Sequence, residues 1–308
     1  MVWIGFALLA VCILLFLITY IMFRIFIMRA KKKVNPMPDF DIFTRYADQI
    51  KSAQNWFLSQ NPQPVSITSF DGLTLRGHIL PHPEARGTVV FMHGYHGTGL
   101  RDFSCALRAF YDRRLNIVLP DQRANGESEG TYVTFGTSER YDCRDWILFA
   151  NRTFGDKLPV VLDGVSMGAA TVMLACALDL PSNVVGAIAD CGYTSPCAIV
   201  KHVLKNGLHF PIWPFLPIAN LMCRIFAGFS LDTANCIQAV KSTRIPILFA
   251  HGEADSFVPV EMGTACHDAC TSEKRLFLVP DADHGMSYLV AREEYEALLD
   301  EFIFSRLQ

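Results

Sequence analysis

The apolar run Leu158-Pro159-Val160-Val161-Leu162 passes without a break into Asp163-Gly164-Val165-Ser166-Met167-Gly168, and a helical pattern follows at once. An apolar run of this length, bounded by glycine, reads as a buried strand. A strand that drives straight into a helix leaves room for only a tight turn between them. Glycine at 164 and 168 lets the two backbones approach, and the turn pushes the Ser166 hydroxyl outward beside the N-terminus of the helix. The G-x-S-x-G spacing therefore demands three things of the fold at one point: a buried strand, a helix behind it, and a presented hydroxyl.

Two later stretches repeat the strand-then-loop form. Ile245-Pro246-Ile247-Leu248-Phe249-Ala250-His251-Gly252 leads into Glu253-Ala254-Asp255. Arg275-Leu276-Phe277-Leu278-Val279-Pro280 leads into Asp281-Ala282-Asp283-His284-Gly285-Met286. Asp255 is the candidate acid and His284 the candidate base to accompany Ser166, each set just after a predicted strand. Asp190, after the strand 184–189, is a rival acid whose bland role is a loop hydrogen bond, and Glu253 comes too early in its turn. His93 and His251 each precede a glycine at a strand end, where positioning a turn accounts for them. His96 is placed at a pocket mouth or on an exposed loop, and Asp163 is read as structural.

With these motifs, residues 65–308 resemble α/β-hydrolases of the serine-aminopeptidase-like or prolyl-oligopeptidase-like group. The order Ser, Asp, His along the chain is the order of that fold. Phe91-Met92-His93-Gly94-Tyr95-His96-Gly97 resembles its His-Gly oxyanion turn after the third strand. Asp121-Gln122-Arg123-Ala124-Asn125-Gly126-Glu127-Ser128-Glu129-Gly130 is similar to its D-x-R-x-x-G-x-S-x-G loop after the fourth, with Asn125 where many relatives carry histidine. That loop is read as structural. The resemblance implies an α/β-hydrolase fold, a serine hydrolase in which Ser166 attacks an acyl carbonyl, His284 moves the proton and Asp255 orients the imidazole. It implies oxyanion donors in the backbone N–H groups of Met167 and Tyr95, and no cofactor. Ester cleavage is the leading expectation and a peptidase the main alternative, although no acidic residue stands out to hold a peptide amine. A non-catalytic, membrane-tethered binding module would be expected to have lost a triad member or an elbow glycine, and none is lost. Serine at 166 disfavours dehalogenation.

Met1 to Phe23 carries no charged residue. At 1.5 Å rise per residue such a run can cross a hydrocarbon core of about 30 Å. A cleavable signal peptide would need a positive start, a shorter apolar stretch and a small-residue cleavage site, which are not evident. Arg24, Arg29, Lys31, Lys32 and Lys33 all follow the span. The positive-inside rule then places the catalytic domain in the cytoplasm, a single-pass arrangement. The same basic residues suit anionic lipid headgroups, although a stop-transfer signal explains them equally. The ten cysteines are scattered rather than spaced as a disulfide framework, which agrees with a reducing compartment. Cys266, His267 and Cys270 occupy one helical turn and read as packing rather than as a metal site. The net charge of −3 and the lack of a basic stripe argue against nucleic acid as a partner.

These readings divide the chain into an anchor (1–28), a basic linker with an amphipathic helix (29–64) and the hydrolase domain (65–308). Within the linker, Asp39 to Gln60 places Ile42, Tyr46, Ile50, Ala53 and Phe57 on one helical face, so a helix is expected to pack on the body as a rigid spacer. Val65–Phe70 and Leu73–Leu80 around Asp71-Gly72 read as a hairpin. Strands and helices then alternate, which implies a mostly parallel sheet with helices on both faces, closed by a helix over 287–306. The segment 193–242 is too long for a simple crossover and is expected to form a helical cap. Its middle, 208–229, reaches transmembrane length. Pro211, Pro214 and Pro217 oppose a second span there, and one extra span would part Ser166 from Asp255 and His284. A cap with an apolar face toward the bilayer is the better expectation. The expected substrate is accordingly a small-molecule or lipid-like ester.

Overall fold

The computed structural model describes residues 2–29 and 45–307. Its elements alternate as the apolar runs imply. In chain order they are α1 (Val2–Phe26), α2 (Ala47–Ser59), β1 (Gln63–Thr68), β2 (Thr74–Leu80), β3 (Gly87–Met92), α3 (Gly99–Asp112), β4 (Leu115–Pro120), α4 (Glu139–Phe154), β5 (Val160–Val165), α5 (Met167–Ala175) and β6 (Val184–Asp190). There follow α6 (Pro196–His202), α7 (Ile212–Phe226), α8 (Cys236–Ser242), β7 (Ile247–Gly252), α9 (Val260–Ala269), β8 (Lys274–Val279), α10 (Ser287–Val290) and α11 (Arg292–Leu298).

The eight strands form one sheet in the order β1-β2-β4-β3-β5-β6-β7-β8. β2 is antiparallel to both of its neighbours, and all the later pairs are parallel. Every residue of β3, β4 and β7 is buried, as expected of parallel strands covered on both faces. One face packs a core that includes Trp146, Met173, Val240 and Cys266, and the other packs Phe57, Phe103, Phe110, Leu299 and Phe302. This is the α/β-hydrolase sheet, and it gathers the loops after β3, β5, β6, β7 and β8 at one edge.

Three expectations need adjusting. The hairpin turn is longer than Asp71-Gly72: β1 ends at Thr68 and β2 begins at Thr74, because Ser69 Oγ bonds both Asp71 (2.6 Å) and the Leu73 amide (2.8 Å) and holds the loop open. The closing helix is broken at Ala291 (φ −125°, ψ 53°) and again by a π turn over Leu299–Ile303 and a 3-10 turn over Phe304–Arg306. Phe302, Ile303 and Phe304 are all buried, and three successive residues cannot share one face of an α-helix, so the turns rotate the chain to seat them. The spacer role assigned to α2 is also revised. α2 does pack on α3, but it does not hold α1 away from the body, because α1 packs directly on α7. Residues 30–44, with Lys31 to Lys33 and the expected start of the spacer helix, lie outside the described residues.

The docking of α1 has identifiable causes. Phe23 and Ile27 are buried, with the Phe23 ring 5.8 Å from Tyr132 and 5.9 Å from Phe226. Just past the helix, the Val133 amide donates to the Ile27 carbonyl and the Arg29 amide to Thr131, both at 2.8 Å. The Arg29 guanidinium donates to the carbonyls of Gly126 and Ser128, so the loop after β4 is the seat of the helix end. From Trp3 to Leu14 the helix is exposed and apolar. It is the one helix among the described residues long and apolar enough to cross a membrane, a property that a signal sequence shares. In the segment 193–242 the chain forms α6, α7 and α8, with a π turn after α6. α7 has 15 residues and a non-helical Trp213, about 22 Å at 1.5 Å per residue, too short to span.

Candidate active site

Ser166 stands between β5 and α5 with φ 56° and ψ −116°, a strained conformation for any residue but glycine. The strain is imposed by close packing: a Cβ on Gly164 would lie 2.3 Å from the Gly168 carbonyl oxygen. The Ser166 amide donates to the Asp190 carbonyl at 2.8 Å, which fixes the turn to the next strand. Its hydroxyl lies 2.9 Å from His284 Nε2.

His284 arrives on the loop after β8, where its amide donates to Asp283 Oδ1 at 2.7 Å. Its Nδ1 is 2.8 Å from Asp255 Oδ2. The other oxygen of Asp255 accepts the amides of Phe257 (2.9 Å) and Val258 (2.7 Å). Burial alone would raise the Asp255 pKa. Hydrogen bonds from His251 and His284 and from the Val258 amide outweigh burial and hold it well below the usual carboxylate range. The three residues expected from spacing are thus brought into one hydrogen-bonded chain, from positions far apart in sequence. The chain has the α/β-hydrolase fold.

The comparisons agree with this fold. Residues 83–206 match the family described as serine aminopeptidase, S33. The hydrolase is similar to the Bacillus subtilis uncharacterized protein YqkD, 25% identical over 92% of this chain and 91% of that protein. It is also similar to the Escherichia coli uncharacterized protein YfhR, 23% identical over 93% of this chain and 95% of the relative. Among solved structures, the Pyrococcus furiosus esterase Pf2001 superposes with a TM-score of 0.65 at 22% identity, covering 80% of this chain and 92% of that one. The Pyrococcus horikoshii acylaminoacyl peptidase gives 0.58 at 16%, covering 80% and 41%. Taken together, the family match and these neighbours support a serine hydrolase acting on an ester or an amide.

Of the proposed oxyanion donors, Met167 is the first residue of α5, where an amide has no acceptor within its own helix. Tyr95 follows β3 and lines, with Ser166, two cavities. Its phenol donates to the Phe26 carbonyl at 2.7 Å, which ties this turn to the end of α1. His96 stacks on the Tyr95 ring, centroids 3.9 Å apart, and burial pulls its imidazole down to about 4, so it is neutral at pH 7. It lines neither cavity.

His93 is a turn residue: its Nε2 accepts the Gln122 amide at 2.8 Å and its Nδ1 lies 2.7 Å from the Gly94 carbonyl oxygen. Asn125 is buried and donates to the Arg123 carbonyl at 2.8 Å, in keeping with a structural loop. Glu253 is exposed. Asp190 accepts from Ser287 Oγ at 2.8 Å. Cys266, His267 and Cys270 turn to different partners: the Tyr193 carbonyl, Asp268 and Ser272. The described residues hold one cluster of potential ligand atoms, Cys191, Asp255 and His284, all within 4.8 Å of one another. Burial raises the Cys191 thiol well above its usual value, which keeps it protonated and a poor ligand.

Three features of the site were not read from the sequence. His251, taken as a turn residue, lies with Nε2 2.9 Å from the Val258 carbonyl oxygen and 3.2 Å from Asp255 Oδ2, so Asp255 faces two imidazoles. Burial opposes charge on His251, but Asp255 outweighs it and shifts that imidazole upward. Gly263 leaves room for the ring, since a Cβ there would come 2.3 Å from His251 Nδ1. The available signal was the placement of His251 near the end of the apolar run that becomes β7, four residues before the acid. His251→Phe is expected to leave KM unchanged and to lower kcat about tenfold, since a hydrogen bond to a charged group contributes about 1.5 kcal/mol or more. The acid side of the stability profile should move upward in pH, because Asp255 loses one of the bonds that hold its carboxyl low. An unchanged pH profile would reduce His251 to packing.

The second feature is a cavity of about 90 Å³ lined by Ser166, Tyr95 and the carboxyls of Asp163 and Asp190. Burial, with the neighbouring Asp190 charge, raises Asp163 well above the usual range, and burial raises Asp190 against the bond from Ser287. The third is a second cavity lined in part by Ser166, about 120 Å³ and almost wholly apolar in its walls, to which α1 contributes.

Proposed function

We propose that this α/β-hydrolase is a membrane-anchored serine hydrolase that cleaves carboxylic esters with apolar or lipid-like acyl groups. The observation that carries this reading is the junction of the Ser166-His284-Asp255 hydrogen-bond chain with an apolar cavity that opens on the Ser166 hydroxyl. In the reaction, His284 Nε2 takes the Ser166 proton as Oγ attacks the acyl carbonyl. Asp255 holds Nδ1–H and stabilises the imidazolium. The oxyanion accepts from the amides of Met167 and Tyr95, each donor contributing about 3 kcal/mol in the transition state. His284 then protonates the departing alcohol, and the same imidazole activates water to release the acid.

The anchor comprises residues 1–28, and Arg24 and Arg29 with Lys31 to Lys33 set the catalytic domain on the cytoplasmic side. All ten cysteines are free, in keeping with a reducing compartment.

The test is the intact mass of the detergent-solubilised protein after a fluorophosphonate probe, followed by a panel of acyl esters and amides. One adduct per chain on the parent and none on Ser166→Ala is the expected result. A folded parent that takes no adduct overturns the reading. Turnover of short, water-soluble acyl esters or amides far above that of every long-chain ester would remove the apolar substrate from it.

A further inference from the structure

The anchor does more than tether the domain. α1 contributes Thr19, Met22, Phe23 and Phe26 to the apolar cavity that Ser166 and Met167 also line, and the cap adds Phe215 and Ala219 of α7. Resting on the ester-hydrolase reading above, we infer that α1 is one wall of the acyl-chain site, and that a long-chain ester resident in the bilayer reaches Ser166 laterally, between α1 and α7, without passing through water.

Position along the helix supports this. Thr19 lies seven residues before Phe26, about 10 Å up the helix at 1.5 Å per residue. The apolar stretch Trp3–Phe26 has 24 residues, and about 20 suffice to cross the hydrocarbon core. The wall at Thr19 and Met22 therefore stands at the depth of the acyl chains, whereas Ser166 lies in the domain. The wall is also apolar at its one polar residue: Thr19 is buried and its hydroxyl donates to the Leu15 carbonyl at 2.8 Å.

The surface around the cavity fits the same environment. Ile21 and Ile25 of α1 and Leu221, Ile225 and Phe226 of α7 are exposed and lie on adjoining helices, a patch that water disfavours and lipid tails accept. The wall is held in place by the Tyr95 phenol on Phe26, the Val133 amide on Ile27 and Arg29 on the loop after β4. Drawing a long acyl chain out through water exposes every methylene in turn, whereas sliding it from lipid tails into an apolar cavity exposes none. A scissile carbonyl near the headgroup boundary would then meet Ser166 with its chain still among apolar atoms.

The experiment uses the full chain reconstituted in phospholipid vesicles. Its first arm compares kcat/KM for p-nitrophenyl dodecanoate and p-nitrophenyl acetate. Ala219→Trp and Met22→Trp, which fill the cavity from α7 and from α1, are expected to lower the dodecanoate-to-acetate ratio at least tenfold. Ile21→Trp, on the exposed side of α1, should keep the parent ratio. The second arm presents a diacylglycerol with a fluorogenic acyl ester either in the enzyme's own vesicles or in separate ones. Turnover in the shared bilayer alone is the expected outcome. If both cavity variants keep the parent ratio, or separate vesicles serve equally well, lateral entry is overturned while the serine-hydrolase reading stands. A parent that takes up no fluorophosphonate and cleaves neither ester overturns both.

Discussion

Ser166→Ala is expected to lower kcat/KM on any ester the enzyme turns over by at least about 10,000-fold, with the fold and stability unchanged. The hydroxyl is 2.9 Å from the imidazole that Asp255 bonds through Nδ1, the arrangement of a nucleophile beside its base. His284→Ala should cost about as much. The double variant should be no worse than either single one, because nucleophile and base act as a unit and the residual rate comes from the oxyanion donors and binding. Asp255→Asn leaves the geometry in place but turns an acceptor toward Nδ1 into an amide that can stabilise the wrong tautomer, with an expected loss of about 10,000-fold in kcat. Steady-state kinetics on the four proteins checks the set, and additive losses in the double variant would show that Ser166 and His284 do not work together.

The depressed pKa of Asp255 gives this a pH dependence with a definite sign. Its stabilising effect is fully present above the unfolded carboxyl value, about pH 4, and is lost only as pH falls through the lower folded value. Activity lost between pH 7 and pH 5 therefore does not arise from protonation of Asp255 in the intact enzyme.

The elbow, the acid and the base were legible because each follows an apolar run that is short, buried and bounded by glycine or a turn, so spacing alone put them at one edge of the sheet. Asp190, the rival acid, was set aside for the bland role of a loop hydrogen bond, and it accepts one from Ser287 Oγ. What escaped reading depends on contacts between segments distant in sequence. His251 looks like any residue at a strand end until the loop after β7 folds back and brings the Asp255 carboxylate to its Nε2. Asp163 sits inside an apolar strand pattern, and only the pairing of β5 with β6 reveals that it faces the same cavity as Asp190. The share of α1 in the cavity is the clearest case. An apolar span has no periodic polar face to show which side meets protein, so the burial of Thr19, Phe23 and Ile27 appears only when the domain is in place. The closing helix failed as a continuous helix for a related reason: three adjacent apolar residues satisfy a tertiary socket rather than a helical stripe.

Gly168→Ala should be the most destabilising of the conservative substitutions. A Cβ at this position would lie 1.7 Å from the Met92 carbonyl oxygen, 2.4 Å from its carbon and 2.8 Å from the His93 oxygen. All three atoms are backbone of β3 and the turn after it, so no rotamer relieves the overlap, and relief requires α5 to move away from the sheet. The expected loss exceeds about 4 kcal/mol, the upper end for single substitutions, and would be seen as a collapse of Tm or of folded yield. Gly207→Ala is the matched control: its nearest neighbour would be Val203 Cγ1 at 3.7 Å, an ordinary contact, and its Tm should stay near the parent's. The functional consequence follows from what is packed together. The same β3 carbonyls precede Gly94 and Tyr95, while Gly168 follows Ser166 and Met167, so separating α5 from β3 separates the nucleophile and one proposed oxyanion donor from the other. A variant rescued by low temperature or a stabilising background should therefore still lose about 100-fold in kcat, the usual result of displacing reacting groups by about 1 Å. Parent-like Tm and kcat in Gly168→Ala would mean that the helix and strand are not in the close contact that gives Ser166 its strained backbone.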